Sequence, residues 1–186
     1  LDTVPRHLFV PDALLHRAYE DSALPLGNGQ TISQPFVHAI SLQALQLEGD
    51  ERVLEVGTGS GYQTALLSVL AAHVFSVERV PNLLERARQS LGRAGACNVS
   101  LMLGDGTLGW REQAPFDAIV VSAAADRVPE PLAEQLAEGG RLVIPMGSGD
   151  EQSLVLFQKL DGTLQRRDIL SVRFVPLRGA FGNGAL

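Results

Sequence analysis

The stretch Arg52-Val53-Leu54-Glu55-Val56-Gly57-Thr58-Gly59-Ser60-Gly61 limits the fold more than any other part of the chain. Val53, Leu54 and Val56 form a short apolar run that stops at three alternating glycines, and Tyr62 to Leu70 follows. This reads as a buried strand, a tight turn and a helix whose Ala65, Leu66, Val69 and Leu70 share the arc that covers a sheet. Glycine accepts positive φ and lets a ligand approach the backbone, while the free N–H groups of the next helix face it. The turn therefore predicts a nucleotide-type pocket.

The spacing narrows the ligand. A dinucleotide fingerprint needs G-x-G-x-x-G, but the position of its third glycine is Tyr62, and the third glycine is Gly61. The resulting G-x-G-x-G, preceded by Glu55, suits S-adenosylmethionine better, because a cofactor without a pyrophosphate does not need the same helix approach. Glu78 stands 21 residues after Gly57, where an acid accepting from both ribose hydroxyls is expected. Asp105-Gly106 could receive an adenine amino group, or form a simple Asx-turn.

The rest of the chain fits one domain built on that unit. His73 to Glu78, Val99 to Leu103, Phe116 to Val121 and Arg141 to Pro145 read as further strands, with helices over about 81–94 and 129–136. Pro81 opens the first of these helices, whose Leu83, Leu84, Ala87, Leu91 and Ala94 share one face before Gly95. Ser153 to Leu160 and Ile169 to Leu177 then flank Asp161-Gly162, a hairpin signal. The pattern predicts five β-α units and a terminal hairpin in a mostly parallel sheet covered on both faces, with one antiparallel strand.

Upstream, Pro5, Pro11 and Pro25 confine any helix to about Asp12 to Glu20. The polar loop Gly27 to Pro35 runs into a helix with Val37, Ile40, Ala44 and Leu47 as its apolar stripe and Ser33 in the N-cap place. Residues 1–48 are expected to be a cover segment and substrate loop, 49–147 the cofactor-binding units and 148–186 the terminal hairpin, with the Gly179 to Leu186 end frayed.

Fifteen basic against twenty-one acidic residues, a net charge of -6, argue against a nucleic-acid partner. A single cysteine, Cys97, excludes an internal disulfide framework and suits a reducing compartment. No apolar run approaches membrane-spanning length, and no signal-like h-region opens the chain. A cytoplasmic monomer with no membrane partner is expected. The first residue is Leu1 rather than methionine, so residues upstream are expected to be missing. The histidines lack metal-ligand spacing, and no metal is expected.

Taken in order, Gly27-x-Gly29-Gln30-Thr31-Ile32-Ser33-Gln34-Pro35, Val53 to Tyr62, Gly104-Asp105-Gly106, Ala114 to Ile119 and Val172-Arg173-Phe174-Val175-Pro176-Leu177 resemble the protein-L-isoaspartate O-methyltransferases over nearly the whole chain. The resemblance implies a Rossmann-like S-adenosylmethionine-dependent methyltransferase fold of the α/β class, with a mostly parallel seven-stranded sheet and a C-terminal antiparallel hairpin. It implies cytosolic repair enzymes that methylate the free α-carboxylate of L-isoaspartyl residues, some also accepting D-aspartyl, before collapse to a succinimide. By motif match, Ser33 takes the active-site serine position, with Thr31 beside it. Gln30, Ile32, His38, Val175, Pro176 and Leu177 fall on the substrate pocket. Glu55, Gly57, Thr58, Gly59, Gly61, Glu78, Asp105 and Gly106 match the cofactor side. Family members carry a longer N-terminal helical region, most of which is absent here.

The chemistry of such a transfer agrees. An α-carboxylate with a pKa of about 3.5 is ionised at neutral pH and needs no strong general base. It needs alignment, which can supply on the order of 7 kcal/mol. Ser33 is thus expected to donate a hydrogen bond that orients the carboxylate, while His38, one turn later, lines the pocket or lies on the helix surface. Two other readings are a methyltransferase for RNA or a small molecule, and a non-catalytic S-adenosylmethionine-binding adaptor. Against the first stand the acidic balance, the Gln30-Thr31-Ile32-Ser33 loop and the lack of a base-methylation motif at Ser122-Ala123-Ala124-Ala125. Against the second stand an intact Ser33 and glycine turn.

Overall fold

The computed structural model describes residues 3–149 and 151–183. Two 3-10 turns, Arg6–Phe9 and Asp12–Arg17, lead to a small antiparallel ribbon of β1 (Leu24–Gly27) and β2 (Gln30–Ile32), then to α1 (Pro35–Leu45). The body alternates through β3 (Arg52–Val56), α2 (Tyr62–Leu70), β4 (His73–Glu78), α3 (Pro81–Ala94), β5 (Val99–Leu103), β6 (Phe116–Val121), α4 (Glu130–Gln135) and β7 (Leu136–Ser148). β8 (Glu151–Leu160) and β9 (Thr163–Val172) follow.

The main sheet has the order β5-β4-β3-β6-β7-β8-β9. Five strands pair in parallel and β8 is antiparallel to both β7 and β9, so six strands share one direction and β8 is the one reversed strand that the sequence pattern predicts. Alternation along each strand sends residues to opposite faces. Val53, Val74, Ala118 and Val143 join the core under α1, α2 and α3, while Leu54, Phe75, Ile119 and Leu142 join the core under α4. Each large aliphatic side chain fully buried in this way contributes about 2 kcal/mol. Because β3 pairs with both β4 and β6, the chain changes direction across the sheet at β3, and a crevice opens beyond the carboxyl ends of those strands.

Several local expectations change. The 12–20 segment forms only the 3-10 turn Asp12–Arg17. The buried face of α1 is His38, Ser41, Leu42, Ala44 and Leu45, rotated from the apolar stripe; Ser41 is accommodated because its hydroxyl donates to Val37 O at 2.9 Å. Gln34, not Ser33, is the N-cap of α1, and Asp21 Oδ1 accepts from the Phe36 N–H at 2.9 Å from a distant loop. Val69 and Leu70 are 55% and 40% exposed, and the buried run of α2 ends at Leu67. β5 is followed by 3-10 turns rather than an α-helix. β9 starts at Thr163 and stops at Val172, so Val175 to Leu177 lies beyond it. Residues 179–183 are pinned rather than frayed: Ala180 N donates to Asp105 Oδ2 at 2.7 Å and Phe181 N to Thr107 Oγ1 at 3.1 Å. The expectation of fraying at 184–186 lies outside the described residues.

Candidate active site

A cavity of about 620 Å³ occupies the crevice. One side is the turn Gly57 to Ser60 with Gln63, Glu78, Arg79 and Val80; the other is Gln30 to Ser33, Phe36 to His38 and the segment 170–178. Gly106, Ser122 and Ala123 lie between them in the lining.

The glycine turn is shaped by its own backbone. Gly57 and Gly59 have φ of 95° and 54°, a region that side-chain-bearing residues rarely occupy. Gly61 N donates to Thr58 O at 2.8 Å, closing the turn onto α2. Gly61 itself serves packing: a Cβ there would sit 3.2 Å from Ala87 Cβ and 3.3 Å from Leu91 Cγ of α3, and the residue does not line the cavity. The Glu78 carboxylate is held in place by Gly59 N at 2.9 Å on one oxygen and Val80 N at 2.9 Å on the other. Each oxygen keeps lone-pair capacity toward the cavity.

Behind the turn lies a buried polar network. Glu55 is fully buried and accepts from Thr64 Oγ1 at 2.5 Å, Ser76 Oγ at 2.6 Å and Gln63 Nε2 at 3.2 Å. Ser76 Oγ also lies 2.6 Å from Thr58 Oγ1. Burial pushes the Glu55 carboxyl up to about 7, against the three hydrogen bonds that lower it and with the nearby Glu78 charge adding to the rise. Glu55 therefore supports the turn from below and does not line the cavity. The Thr58 hydroxyl is likewise turned inward, leaving its backbone to face a ligand.

On the other side, one guanidinium organises the chain. Arg6 is buried and donates to Ala18 O at 2.6 Å, Glu20 O at 3.4 Å, Ser22 O at 3.1 Å and Ser33 O at 3.1 Å. Ser33 is half-buried in the lining, and Arg6 fixes its backbone. Burial lowers the Arg6 pKa, partly offset by Tyr62 and Asp21. His38 is buried, pushed down to about 4 by desolvation, and shares a 2.9 Å hydrogen bond between Nδ1 and Gln63 Oε1. Val175 O accepts from Ala124 N at 2.8 Å and Leu177 N donates to Ala124 O at 2.7 Å, which brings Val175, Pro176 and Leu177 to the lining.

The structure thus brings Gln30, Thr31, Ile32, Ser33, His38, Val175, Pro176 and Leu177 into one cavity with Gly57, Thr58, Gly59, Glu78 and Gly106. Glu55, Gly61 and Asp105 stand behind that lining. Asp105 takes the Asx-turn form, with Oδ1 accepting from Thr107 N at 2.9 Å and Thr107 Oγ1 at 2.7 Å. Tyr62 packs in the core, its ring 5.6 Å from Phe9 and 5.4 Å from His38. Sequence reasoning missed Gln63, Arg6 and Gln152. The first is visible only once α2's first turn is placed on the cavity, and the other two act from distant segments. Among the described residues, no group of His, Cys, Asp and Glu is arranged to hold a metal ion, and no helix is long and apolar enough to cross a membrane.

A doubly covered, mostly parallel sheet with this glycine turn and acid at adjoining strand ends defines a Rossmann-like methyltransferase. The family model for protein-L-isoaspartate(D-aspartate) O-methyltransferase matches residues 1–181, and the chain belongs to that family. It is 52% identical over 179 residues to a protein-L-isoaspartate O-methyltransferase of Dictyoglomus thermophilum, covering 96% of this chain and 81% of the relative. A solved protein-L-isoaspartate O-methyltransferase superposes with a TM-score of 0.87 at 35% identity, over 97% of this chain; the chain spans 60% of that structure's length. A Plasmodium falciparum structure, assigned provisionally to the same activity and holding S-adenosyl-L-homocysteine, gives a TM-score of 0.84 at 29% identity, over 94% of this chain and 86% of its own.

Proposed function

We propose that this chain transfers the methyl group of S-adenosylmethionine to the free α-carboxylate of L-isoaspartyl residues in damaged proteins and peptides, starting a repair that proceeds through a succinimide. The observation that carries the reading is the single cavity shared by the glycine turn with Glu78 and by Thr31, Ser33 and Val175 to Leu177. The residues fit the cofactor: the turn's positive-φ glycines leave backbone exposed to a ligand, and both Glu78 oxygens are fixed yet retain lone pairs suited to ribose hydroxyls. When bound, S-adenosylmethionine supplies an electrophilic methyl on a sulfonium.

The protein's part is alignment. An isoaspartyl α-carboxylate arrives ionised, so no residue has to remove a proton from it. Ser33, with its carbonyl clamped by Arg6, donates its hydroxyl to that carboxylate and orients it. Thr31 and Gln30 border the same end, and Val175 to Leu177 offers backbone and apolar surface to the peptide chain. Glu78 holds the cofactor from the other side. The acidic balance argues against a nucleic-acid partner, and the exposed free thiol of Cys97 fits a reducing compartment such as the cytoplasm.

The test is methyl transfer from labelled S-adenosylmethionine to two peptides that differ only in L-isoaspartate against L-aspartate. Labelling of the isoaspartyl peptide alone is the expected result. Labelling of neither, with cofactor binding intact, would sink the substrate assignment.

A further inference from the structure

We infer that Gln63 is a positioning residue: anchored by Glu55, its side-chain amide fixes the tautomer of His38 and the orientation of the Ser122 hydroxyl on the cavity wall. The inference rests on the proposed methyl-transfer site, but its first readout does not depend on which acceptor is methylated.

The hydrogen-bond inventory leaves one arrangement. Above about pH 7 Glu55 is ionised, and its carboxylate can then only accept from the three donors that converge on it. The Ser76 proton is committed to Glu55, so Ser76 accepts from Thr58. The amide end of Gln63 that faces Glu55 at 3.2 Å must therefore be its NH2, and its second N–H goes to Ser122 Oγ at 3.0 Å. Gln63 Oε1 is left facing His38 Nδ1 at 2.9 Å, so Nδ1 carries the imidazole proton. In a neutral ring this makes His38 Nε2 a bare acceptor, and that atom is buried with no protein partner. Tyr62 packs edge-on at 5.4 Å against the same ring and limits its rotation. Ser122, already accepting from Gln63, keeps its own proton for an acceptor in the cavity. A leucine at 63 could fill similar space, but it would set neither group. The amide thus converts a fixed carboxylate beneath the cofactor turn into a defined acceptor on His38 and a defined donor on Ser122.

The experiment is a two-bond proton–nitrogen correlation of 15N-labelled protein at about pH 8.5, where Glu55 is ionised, with the His38 signals assigned by their loss in His38→Asn. The expected spectrum shows His38 as the Nδ1–H tautomer. In Gln63→Leu the population moves toward Nε2–H. With it, kcat falls about tenfold while the cofactor Kd stays within about threefold. An Nε2–H tautomer in the wild-type spectrum overturns the inference even if no variant folds. So does a Gln63→Leu protein in which either the tautomer or kcat is unmoved. Failure of the isoaspartyl assay alone would leave the tautomer readout intact, which separates this inference from the choice of substrate.

Discussion

On the cofactor side of the cavity, Gly57 to Ser60, Gln63 and Glu78 come from consecutive strand–helix units, β3–α2 and β4–α3, whereas the other side joins segments within 30–38 and 170–178 from opposite ends of the chain. The first is positioned by strand register and by the turn's own hydrogen bonds, such as Gly57 N to Val77 O at 2.9 Å. The second joins β2, the start of α1 and the end of β9 through the irregular segments 33–34 and 173–178, and is held by single side chains reaching across the molecule: Arg6 to Ser33, Asp21 to Phe36, Gln152 to Phe174. The difference predicts that cofactor binding and substrate alignment are separable properties. Damage to one tie on the substrate side should leave the cofactor turn in place.

The largest expected effect tests this at Arg6. Arg6→Leu removes the donor to four carbonyls, and burying acceptors without partners costs about 1–3 kcal/mol each where water cannot reach. With part of that segment free to rehydrate, the net loss of stability is expected at about 4 kcal/mol in urea unfolding. At temperatures where the variant is folded, S-adenosylhomocysteine affinity should stay within about threefold while methyl transfer collapses. Parallel losses of both would break the comparison.

The buried pair between the two sides gives a pH test of nearly equal size. Folded Glu55 keeps its proton to about 7, against an ordinary value of 4.5, so its contribution to stability is present at low pH and falls as pH rises between those values. Folded His38 stays neutral down to about 4, against an ordinary 6.5, so its contribution rises with pH between those values. From 4.5 to 6.5 the two slopes oppose each other and the wild type is nearly flat as far as this pair is concerned. Glu55→Gln should expose the rising limb and His38→Asn the falling one, each amounting to about 3 kcal/mol over its range. Urea unfolding at stepped pH reads both. Identical profiles in all three proteins would show that the pair does not titrate as its burial requires.

A smaller effect divides the roles of Glu78 and Ser33. Glu78→Ala should weaken the cofactor about thirtyfold, roughly 2 kcal/mol, in equilibrium titration. Ser33→Ala should leave that affinity within about threefold and lower kcat instead. A cofactor loss of more than about tenfold in Ser33→Ala would mean that the two sides are not separable at that residue.

The same asymmetry explains what was legible in the sequence. The turn at Gly57, the acid at Glu78 and the hairpin at Asp161-Gly162 are local patterns, and each sits in the element that its pattern predicts. α1 was mis-phased because His38 and Ser41 count as polar by type yet are buried once Gln63 Oε1 and Val37 O satisfy them. Val69 and Leu70 extend a helical period, but the buried run of α2 ends at Leu67, which periodicity does not encode. Ser33 lost the capping position to Gln34 because Asp21 supplies the acceptor in space. The Val175 to Leu177 run has strand composition, but its partner is Ala124 at the end of a parallel strand rather than a continuation of the hairpin. The deciding contacts from Gln63, Asp21 and Ala124 are long-range, whereas the Ser41 bond to Val37 is local and escapes a pattern read by residue type.

Gln152 offers the mildest break. It opens the antiparallel strand β8, is buried, and sits opposite Val172, the last residue of β9. Its Oε1 accepts from Phe174 N at 2.7 Å, and its Nε2 donates to Phe174 O at 3.2 Å and Gly149 O at 3.0 Å. One amide thus imitates a further rung of the sheet just after the ladder ends, and aims the chain toward the Ala124 bridge that brings Val175 to Leu177 to the cavity. Gln152→Ala leaves the half-buried Phe174 groups to find water, at about 1 kcal/mol of stability. The isoaspartyl-peptide KM should rise about tenfold, with kcat and cofactor Kd each within about twofold, because the tie serves binding rather than the aligned carboxylate. If cofactor affinity fell in step with KM, the C-terminal segment would have to be counted as part of the cofactor side. Its hydrogen bonds from Ala180 to Asp105 and from Phe181 to Thr107 would supply the connection.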